Sequence, residues 1–385
     1  MYTKEQLNDL YERIVKTIDI SNDMFDTAEH EYTQLGNWID QETPQYSISV
    51  YPQGSFALGT VTKPIDDKDD YDLDLVCEFA NQYGLSAEDL KCSVVKPLLL
   101  KYRKTKRDIE EKRRCWHVEY DDVPHFHMDI IPAVNRNTYI DITDHDEDAD
   151  TYDYIGSNPK EYIAWFNSRK AERRKAIYER YCEENKTILT CSADIEKIKE
   201  YHLKTPLQKA IQILKRHRDI MFKDHTKHLK PISIIITTIA ADLYKNEDNI
   251  VDTLANFLSN AESYIKNRKI GSEYHIDNPT YTGDGVENFA EKWNEHPERA
   301  TAFFEWLNKA KYDLIDSRIY SLFRPQLAEN FSQALGATTT RNIFNEIAKE
   351  ERAAIENQSK KIDTTTGAIS SSGSVSIPRS HHYGQ

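Results

Sequence analysis

The sequence lacks an excess of positive charge, paired cysteines and a long apolar run. Its formal net charge is −14 over 385 residues, which argues against broad electrostatic binding to nucleic acid, because such binding depends on basic surface. The five cysteines are scattered and form no C-x-x-C pair, so we expect a protein of the reducing cytoplasm rather than a disulfide framework. The longest apolar stretch, ISIIITTIAA at 232–241, is too short to span a bilayer. The charged, amphipathic start of the chain predicts no signal peptide.

The remaining composition is that of a folded protein with two modest domains or one large domain. Hydrophobic residues make up 39% and aromatic residues 11% of the chain, which is enough for a packed core. Helical spacing over residues 4–41 predicts one long helix or two, and a capped helix is predicted from Ser86 through residue 114. Residues 144–153 are expected to form an acidic loop. From residue 158 onward the pattern becomes almost wholly helical, and the tail over 357–385 is too poor in apolar residues to be expected to order.

Two aspartates one residue apart occur inside an apolar run, YDLDLVCEF at 71–79. The run predicts a strand, on which Asp72 and Asp74 share one face because side chains alternate with period two. A Gly-Ser turn in the preceding PQGSFALGT can present backbone N–H groups and a hydroxyl to an anion. A third acid, Asp129, lies in a second predicted strand, FHMDIIPAV, where His125 and His127 share its face.

Carboxylates that converge from neighbouring strands can hold a pair of divalent ions. Oxygen ligands select hard cations such as Mg²⁺ or Mn²⁺. Two ions about 3.5–4 Å apart can hold the entering and leaving oxygens of a phosphoryl or nucleotidyl transfer. We interpret His127 as a supporting residue rather than as a metal ligand.

A helix predicted to begin with Thr205 as N-cap and Pro206 at its first position carries several basic side chains. Arg218 projects into the middle of its apolar stripe, Lys215 lies on the flank, and Arg216 is expected to face solvent. Because a buried arginine is costly unless it is paired, either Arg218 meets a carboxylate in the core or this helix edge lines an anion site. Both alternatives stay open. The basic stretch over 101–114 is likewise either a solvated surface or a surface for polyanionic ligands.

The order of Gly-Ser, D-x-D and a distal aspartate resembles the polymerase β-like nucleotidyltransferase superfamily. The later blocks resemble the bacterial CD-NTases, which are the cGAS/DncV-like nucleotidyltransferases of anti-phage CBASS systems, over most of residues 20–325. These blocks are DIIPAV, SNPKEYIAWFNSR, LQKAIQILKRHRD, KPISIIITTIAA and NPTYTGDGVENFAEKW.

The resemblance implies an α+β, two-lobed polymerase β-like fold with a mixed, mainly antiparallel sheet, a C-terminal helical lobe and a long N-terminal spine helix. The implied domains are a nucleotidyltransferase core lobe with the N-terminal helix (1–157), a helical lobe (158–356) and a disordered tail (357–385). The active site is expected in the cleft between the lobes.

The resemblance also implies roles for individual residues. Two Mg²⁺ or Mn²⁺ ions are implied at the catalytic aspartates, with Asp129 completing the ion that activates the attacking ribose hydroxyl. The donor triphosphate is implied to contact residues of the Gly-Ser turn and, from the second lobe, a lysine and a serine. The implied metal and catalytic residues are Asp72, Asp74 and Asp129, and the implied nucleotide-binding residues are Gln53, Gly54, Ser55, Lys215 and Ser233.

The implied product is a cyclic di- or trinucleotide second messenger made from nucleoside triphosphates with release of pyrophosphate. This diffusible product would act on a separate effector. We expect no membrane and no stable nucleic-acid partner. Some relatives are conjugated through their C-terminus by ubiquitin-transfer-like proteins, and the tail of this chain would suit such a partner, although it ends in Gly384-Gln385.

Two other functions stay open on the residues alone. The same chemistry could serve an RNA-tailing, tRNA-repairing or antibiotic-modifying transferase, although the acidic net charge weighs against a tRNA partner. A catalytically silent nucleotide-binding or RNA-binding regulator is the third alternative, but such a protein would have no need of three clustered acids.

Overall fold

The structure is a computed structural model. It describes residues 2–65, 71–80, 84–102, 105–120, 126–184, 203–223 and 226–357, together with the residue pairs 361–362, 369–370 and 375–376. Among these residues, no helix is both long and apolar enough to cross a bilayer.

The N-terminal region forms two helices, α1 (Lys4–Ile18) and α2 (Asn22–Glu42), which is the second of the two alternatives left by the sequence. The break occurs where Ser21 caps α2, because its side chain accepts a hydrogen bond from the N–H of Met24. The buried residues of α1 pack with the helices of the C-terminal half, whereas those of α2 pack on the sheet. The N-terminal pair therefore contacts both lobes.

Seven described strands form one mixed sheet that carries the acidic residues. The strands are β1 (Ile48–Pro52), β2 (Tyr71–Phe79), β3 (Thr105–Glu111), β4 (Trp116–Tyr120), β5 (Phe126–Asn135), β6 (Ile140–Asp146) and β7 (Thr151–Ser157). Their order is β1-β2-β5-β4-β3, with β6 beside β5 and β7 beside β6. The β2–β5 pair is parallel and the other pairs are antiparallel. A short helix, α3 (Gly54–Leu58), follows β1 directly.

Two predictions in this lobe are wrong. The helix predicted to continue to residue 114 has a π-helical segment (Asp89–Val95) and a short α4 (Lys96–Lys101), and the chain then enters β3. The predicted cap is present, since Ser86 Oγ accepts a hydrogen bond from the N–H of Asp89. The acidic segment at 144–153 is not a loop but largely the β6–β7 hairpin. In both places pairing with a neighbouring strand decides the local structure.

The C-terminal half is helical and has its own core. Its first helix, α5 (Pro159–Glu184), begins at a proline, and α6 (Pro206–Met221) begins with the predicted N-cap Thr205, which forms a capping box with Gln208. The apolar run at 232–241, which fits a buried helix or strand by sequence, forms a helix. The helices that follow α6 are α7 (Ser233–Leu243), α8 (Ile250–Lys266), α9 (Glu291–Glu295), α10 (Pro297–Leu314), α11 (Arg324–Leu335) and α12 (Ala337–Glu356).

The two halves have separate buried cores, one around the sheet and one among the helices. The α+β, two-lobed fold is confirmed, and the exact domain boundaries stay a prediction. In the tail, the described residues form three two-residue strands, β8 (Lys361–Ile362), β9 (Ile369–Ser370) and β10 (Val375–Ser376), which pair in the order β10-β8-β9. These strands differ from the predicted disorder, and the rest of 358–385 lies outside the described residues.

Candidate active site

The three predicted acids lie on the parallel pair β2–β5. Asp74 is in register with Asp129, and Asp72 is in register with His127. Neighbouring strands are about 4.8 Å apart, and residues in register point to the same face. Asp72, Asp74 and Asp129 therefore converge on one face of the sheet, as the sequence predicted.

The Gly-Ser turn packs directly against the second of these acids. Gly54 has a left-handed φ of 59°, and a Cβ built on it would lie 2.3 Å from Asp74 Oδ2. The backbone N–H of Gln53 donates to the carbonyl oxygen of Asp74 at 2.9 Å. Glycine is therefore required at position 54 both by the backbone conformation and by the close approach of the carboxylate.

The carboxylates are electrostatically coupled. Burial, followed by the charges of Asp129 and Asp72, raises the pKa of Asp74 to about 7. Loss of water around Asp72 acts to raise its pKa, but the hydrogen bond and charge of His127, with smaller effects of Lys215 and His117, lower it overall. Burial and the neighbouring negative charges therefore disfavour the ionised form of Asp74, and an added cation would favour it.

A cleft of about 760 Å³ opens between the two lobes over these residues. Gly54, Ser55, Asp72 and Asp74 line one side, and residues of α6 and α7 line the other. Several basic side chains surround the space, which is the charge pattern that a polyphosphate needs. The basic lining residues are Lys63, Lys215, Arg218, Lys223 and Lys230.

Lys215 and Ser233, the two residues predicted on the second lobe, both line the cleft. Lys215 is buried, its Nζ donates to the carbonyl oxygen of Thr60 at 2.9 Å, and burial together with the charge of Arg218 lowers its pKa to about 8. Ser233 is the first residue of α7, and its Oγ accepts a hydrogen bond from Arg218 at 2.8 Å.

Arg218 is paired with a carboxylate, but this partner, Asp219, is partly exposed and lines the cleft rather than lying in the core. Its guanidinium donates to Asp219 Oδ1 at 2.7 Å and to the carbonyl oxygen of Pro231 at 3.1 Å. It is also part of the cleft wall, as is Asp219, which lies 3.5 Å from Lys230 Nζ. The buried arginine is therefore paired and lies beside the candidate anion site.

The prediction that Arg216 faces solvent is wrong. Its side chain is buried and donates to the carbonyl oxygens of Lys63 and Pro64. The segment after α3 lies along α6, so a helix face that looks polar by periodicity is covered by backbone carbonyls. Side chains of α6 donate to carbonyl oxygens at the end of α3 and in the segment after it, from Gln208 to Leu58, Gln212 to Val61, Lys215 to Thr60 and Arg216 to Lys63.

Two histidines contact the acids. His117, which sequence reasoning missed, lies on β4 in register with Asp129, and its Nδ1 is 2.8 Å from Asp129 Oδ1. His127 Nε2 contacts Asp72 Oδ1, in keeping with the supporting role inferred for it. The period-two pattern of WHVEY could have indicated His117, but its alignment with Asp129 depends on the strand pairing. His125 lies outside the described residues.

The donor set fits divalent cations. Three carboxylates share one face of two neighbouring strands, and burial together with their mutual repulsion raises the pKa of Asp74, so a bound cation would stabilise its ionised form. Oxygen donors of this kind suit Mg²⁺ and Mn²⁺. Asp72, Asp74 and Asp129 are the residues that would hold such ions.

Known proteins resemble this chain in sequence and in fold. Residues 1–170 match the family described as the Second Messenger Oligonucleotide or Dinucleotide Synthetase (SMODS) domain. A c-di-GMP synthase from Roseivirga ehrenbergii is 29% identical over 317 residues, which cover 79% of this chain and 78% of the relative. The cyclic dinucleotide synthase CdnG from Bradyrhizobium diazoefficiens is 25% identical over 272 residues, which cover 67% of this chain and 62% of the relative. The structure of the CD-NTase CdnG from that organism in complex with GTP aligns with this chain at a TM-score of 0.69 and 21% identity. The alignment covers 88% of this chain and 98% of the CdnG chain.

The two-lobed fold of this chain is that of the CdnG structure, and Asp72, Asp74 and Asp129 share one face of its β2–β5 pair. The match over residues 1–170 and the similarity to the c-di-GMP synthase agree with the resemblance to the CD-NTases that the sequence suggested. The particular group of relatives that this chain resembles consists of cyclic dinucleotide synthases.

Proposed function

We propose that this protein condenses nucleoside triphosphates into a cyclic di- or trinucleotide second messenger, with release of pyrophosphate, in anti-phage defence signalling. The observation that carries the proposal is the register of Asp74 with Asp129, beside Asp72, at a cleft whose opposite wall is basic. The names of the relatives, c-di-GMP synthase and cyclic dinucleotide synthase, support the cyclic product. They also make GTP the first substrate to test.

In the proposed reaction, a ribose hydroxyl of the acceptor attacks the α-phosphorus of the donor. The bond to pyrophosphate breaks, the hydroxyl proton is lost, and a final transfer within the linear intermediate closes the ring. Two Mg²⁺ or Mn²⁺ ions, held by Asp72, Asp74 and Asp129, would supply charge neutralisation at the transferred phosphate and lower the pKa of the attacking hydroxyl.

The chain's own groups bind and orient the donor. Gly54 and Ser55, preceded by Gln53, lie on the acidic side of the cleft and would contact the triphosphate there. Lys215 and Ser233 would contact it from the helical side. Because Lys215 Nζ already donates to Thr60, it is held in place before a nucleotide binds, which reduces the entropy lost on binding.

The proposed partners follow from the product. A diffusible cyclic nucleotide would act on a separate effector, so no stable complex with that effector is required. A ubiquitin-transfer-like partner at the tail is part of the proposal as well. Mass spectrometry that finds the tail unconjugated in cells carrying the whole operon would contradict this part.

The function is tested by incubating the protein with labelled GTP, ATP, CTP and UTP, singly and together, with Mg²⁺ or Mn²⁺. Phosphatase treatment then distinguishes cyclic products, which have no terminal phosphate, from linear ones. We expect a phosphatase-resistant product that is lost in the isosteric variants Asp72→Asn and Asp74→Asn. Asp148→Asn, in the exposed β6–β7 turn, is the matched control and should keep full activity.

Each other outcome has a definite meaning. Extension of an added RNA primer would favour the RNA-directed transferase, and absence of turnover with any nucleotide and either metal would favour the silent regulator. Unchanged activity of Asp74→Asn in a folded protein would place the metal site elsewhere.

A further inference from the structure

The sheet face that carries the acids continues into two histidines on the side away from Gly54. His127 lies on β5 in register with Asp72, and His117 lies on β4 in register with Asp129. Their imidazole rings are close to each other, with centroids 4.1 Å apart. The two imidazoles therefore border the acidic cluster on the side of β4 and β5.

The donor atoms of His117, His127 and Asp129 all lie within 4.8 Å of one another. His117 Nδ1 and Asp129 Oδ1 are 2.8 Å apart. An ion bound about 2.1 Å from each donor separates any two of them by at most about 4.2 Å. The set would therefore have to contract by only about half an ångström to enclose one ion.

The surroundings of these three side chains suit ligation. The exposed fractions of the His117, His127 and Asp129 side chains are 17%, 16% and 24%, so all three are held by packing and still partly exposed. Imidazole nitrogen suits first-row transition metal ions, whereas Mg²⁺ takes oxygen ligands and gives up its water reluctantly. A set of two nitrogens and one carboxylate therefore discriminates against Mg²⁺.

We propose that His117, His127 and Asp129 form a mixed nitrogen–oxygen site for a first-row transition metal ion, selected over Mg²⁺, beside Asp72 and Asp74. Binding exchanges the hydrogen bonds of the two histidines with Asp129 and Asp72 for bonds to the ion, and releases any proton on the ligating nitrogens. The inference rests on the proposed function only in taking Asp129 as a residue shared with the catalytic ions.

The test is a spectroscopic measurement on the full chain without nucleotide. Mn²⁺ is added at one equivalent, and electron spin-echo envelope modulation reports whether imidazole ¹⁴N is directly bound. We expect strong ¹⁴N modulation in the wild type. In competition titrations, Co²⁺ should bind at least about 10-fold more tightly than Mg²⁺, as expected when two of the ligands are imidazole nitrogens.

The variants separate ligation from a merely supporting role. His117→Asn and His127→Gln keep a hydrogen-bond donor near the position of Nδ1 and Nε2 but remove the imidazole. We expect the double variant to lose the ¹⁴N modulation and the preference over Mg²⁺. Two controls should keep both signals, namely His296→Gln on the surface and the tail variant His381→Gln/His382→Gln.

The proposal is overturned if Mn²⁺ binds without direct ¹⁴N modulation, if Mn²⁺ does not bind at all, or if the modulation disappears only in the tail variant. The wild-type spectrum decides the question even if the double variant does not fold. Product formation from GTP is measured separately. If only the metal-site inference fails, turnover is intact. If the proposed function fails, no nucleotide is turned over with any ion.

Discussion

Replacement of Gly54 by alanine tests the contact between the Gly-Ser turn and Asp74. The residue has a φ of 59°, and its added Cβ would lie 2.3 Å from Asp74 Oδ2, where an ordinary contact begins at 3.4 Å. The left-handed backbone costs a non-glycine residue about 1–2 kcal/mol. The carboxylate must also move by about 1 Å, and a misplacement of about 1 Å at a reacting centre can cost about 100-fold in rate.

Two effects of different size are therefore expected from Gly54→Ala. The midpoint temperature of thermal unfolding should fall by about 2–8 °C, since about 1 kcal/mol corresponds to about 2–4 °C in a domain of about 150–250 residues. The rate of product formation from GTP should fall by about 100-fold or more. Both are measured on the same preparation, by calorimetry and by steady-state turnover.

The matched control is Gly271→Ala. Gly271 has a similar φ of 63°, lies in an exposed turn, and would have no atom within 4 Å of its added Cβ. This variant should show the same backbone cost with unchanged activity. If the two variants were equally active, the contact between Gly54 and Asp74 would have no part in positioning the acid, and the reasoning would be refuted.

Two further predictions concern the interface between the lobes and the charge of the site. Gln212→Leu removes hydrogen bonds from Nε2 to the carbonyl oxygen of Val61 at 2.6 Å and to Asp19 Oδ1 at 2.9 Å. It should lower the free energy of unfolding in urea by about 1–3 kcal/mol because a buried acceptor is left unpaired, whereas Gln333→Leu on the surface should not. Since the pKa of Asp74 is raised to about 7 by burial and neighbouring acids, a proton must leave before a cation binds below that pH. The apparent dissociation constant for Mg²⁺ should therefore rise by about tenfold per pH unit below 7 and level off above it, and a flat calorimetric profile from pH 5.5 to 8.5 would contradict this.

Much of the site could be predicted from local pattern. The period-two alternation in YDLDLVCEF and FHMDIIPAV predicted both strands and the shared face of Asp72 and Asp74, and β2 has the predicted bounds. The caps at Ser86 and Thr205 were predicted because their mechanism involves only residues three apart.

The errors share a physical origin in long-range contacts. Thr105–Glu111 has few apolar residues and a charge pattern that is compatible with a helix, but pairing with β4 makes it a strand. Arg216 lies on a face that periodicity assigns to solvent, but the carbonyl oxygens of Lys63 and Pro64 cover it.

By itself, the sequence determined which residues are chemically competent and on which face of its own strand or helix each one lies, because side-chain periodicity is a local property of the backbone. Only the tertiary structure decided which of them meet. The pairing of β2, β5 and β4 sets both Asp74 and His117 beside Asp129. The cleft at Asp74 forms where α6 approaches the segment after α3. Pairing across a sheet depends on hydrogen bonds between strands distant in sequence, so no local pattern specifies it.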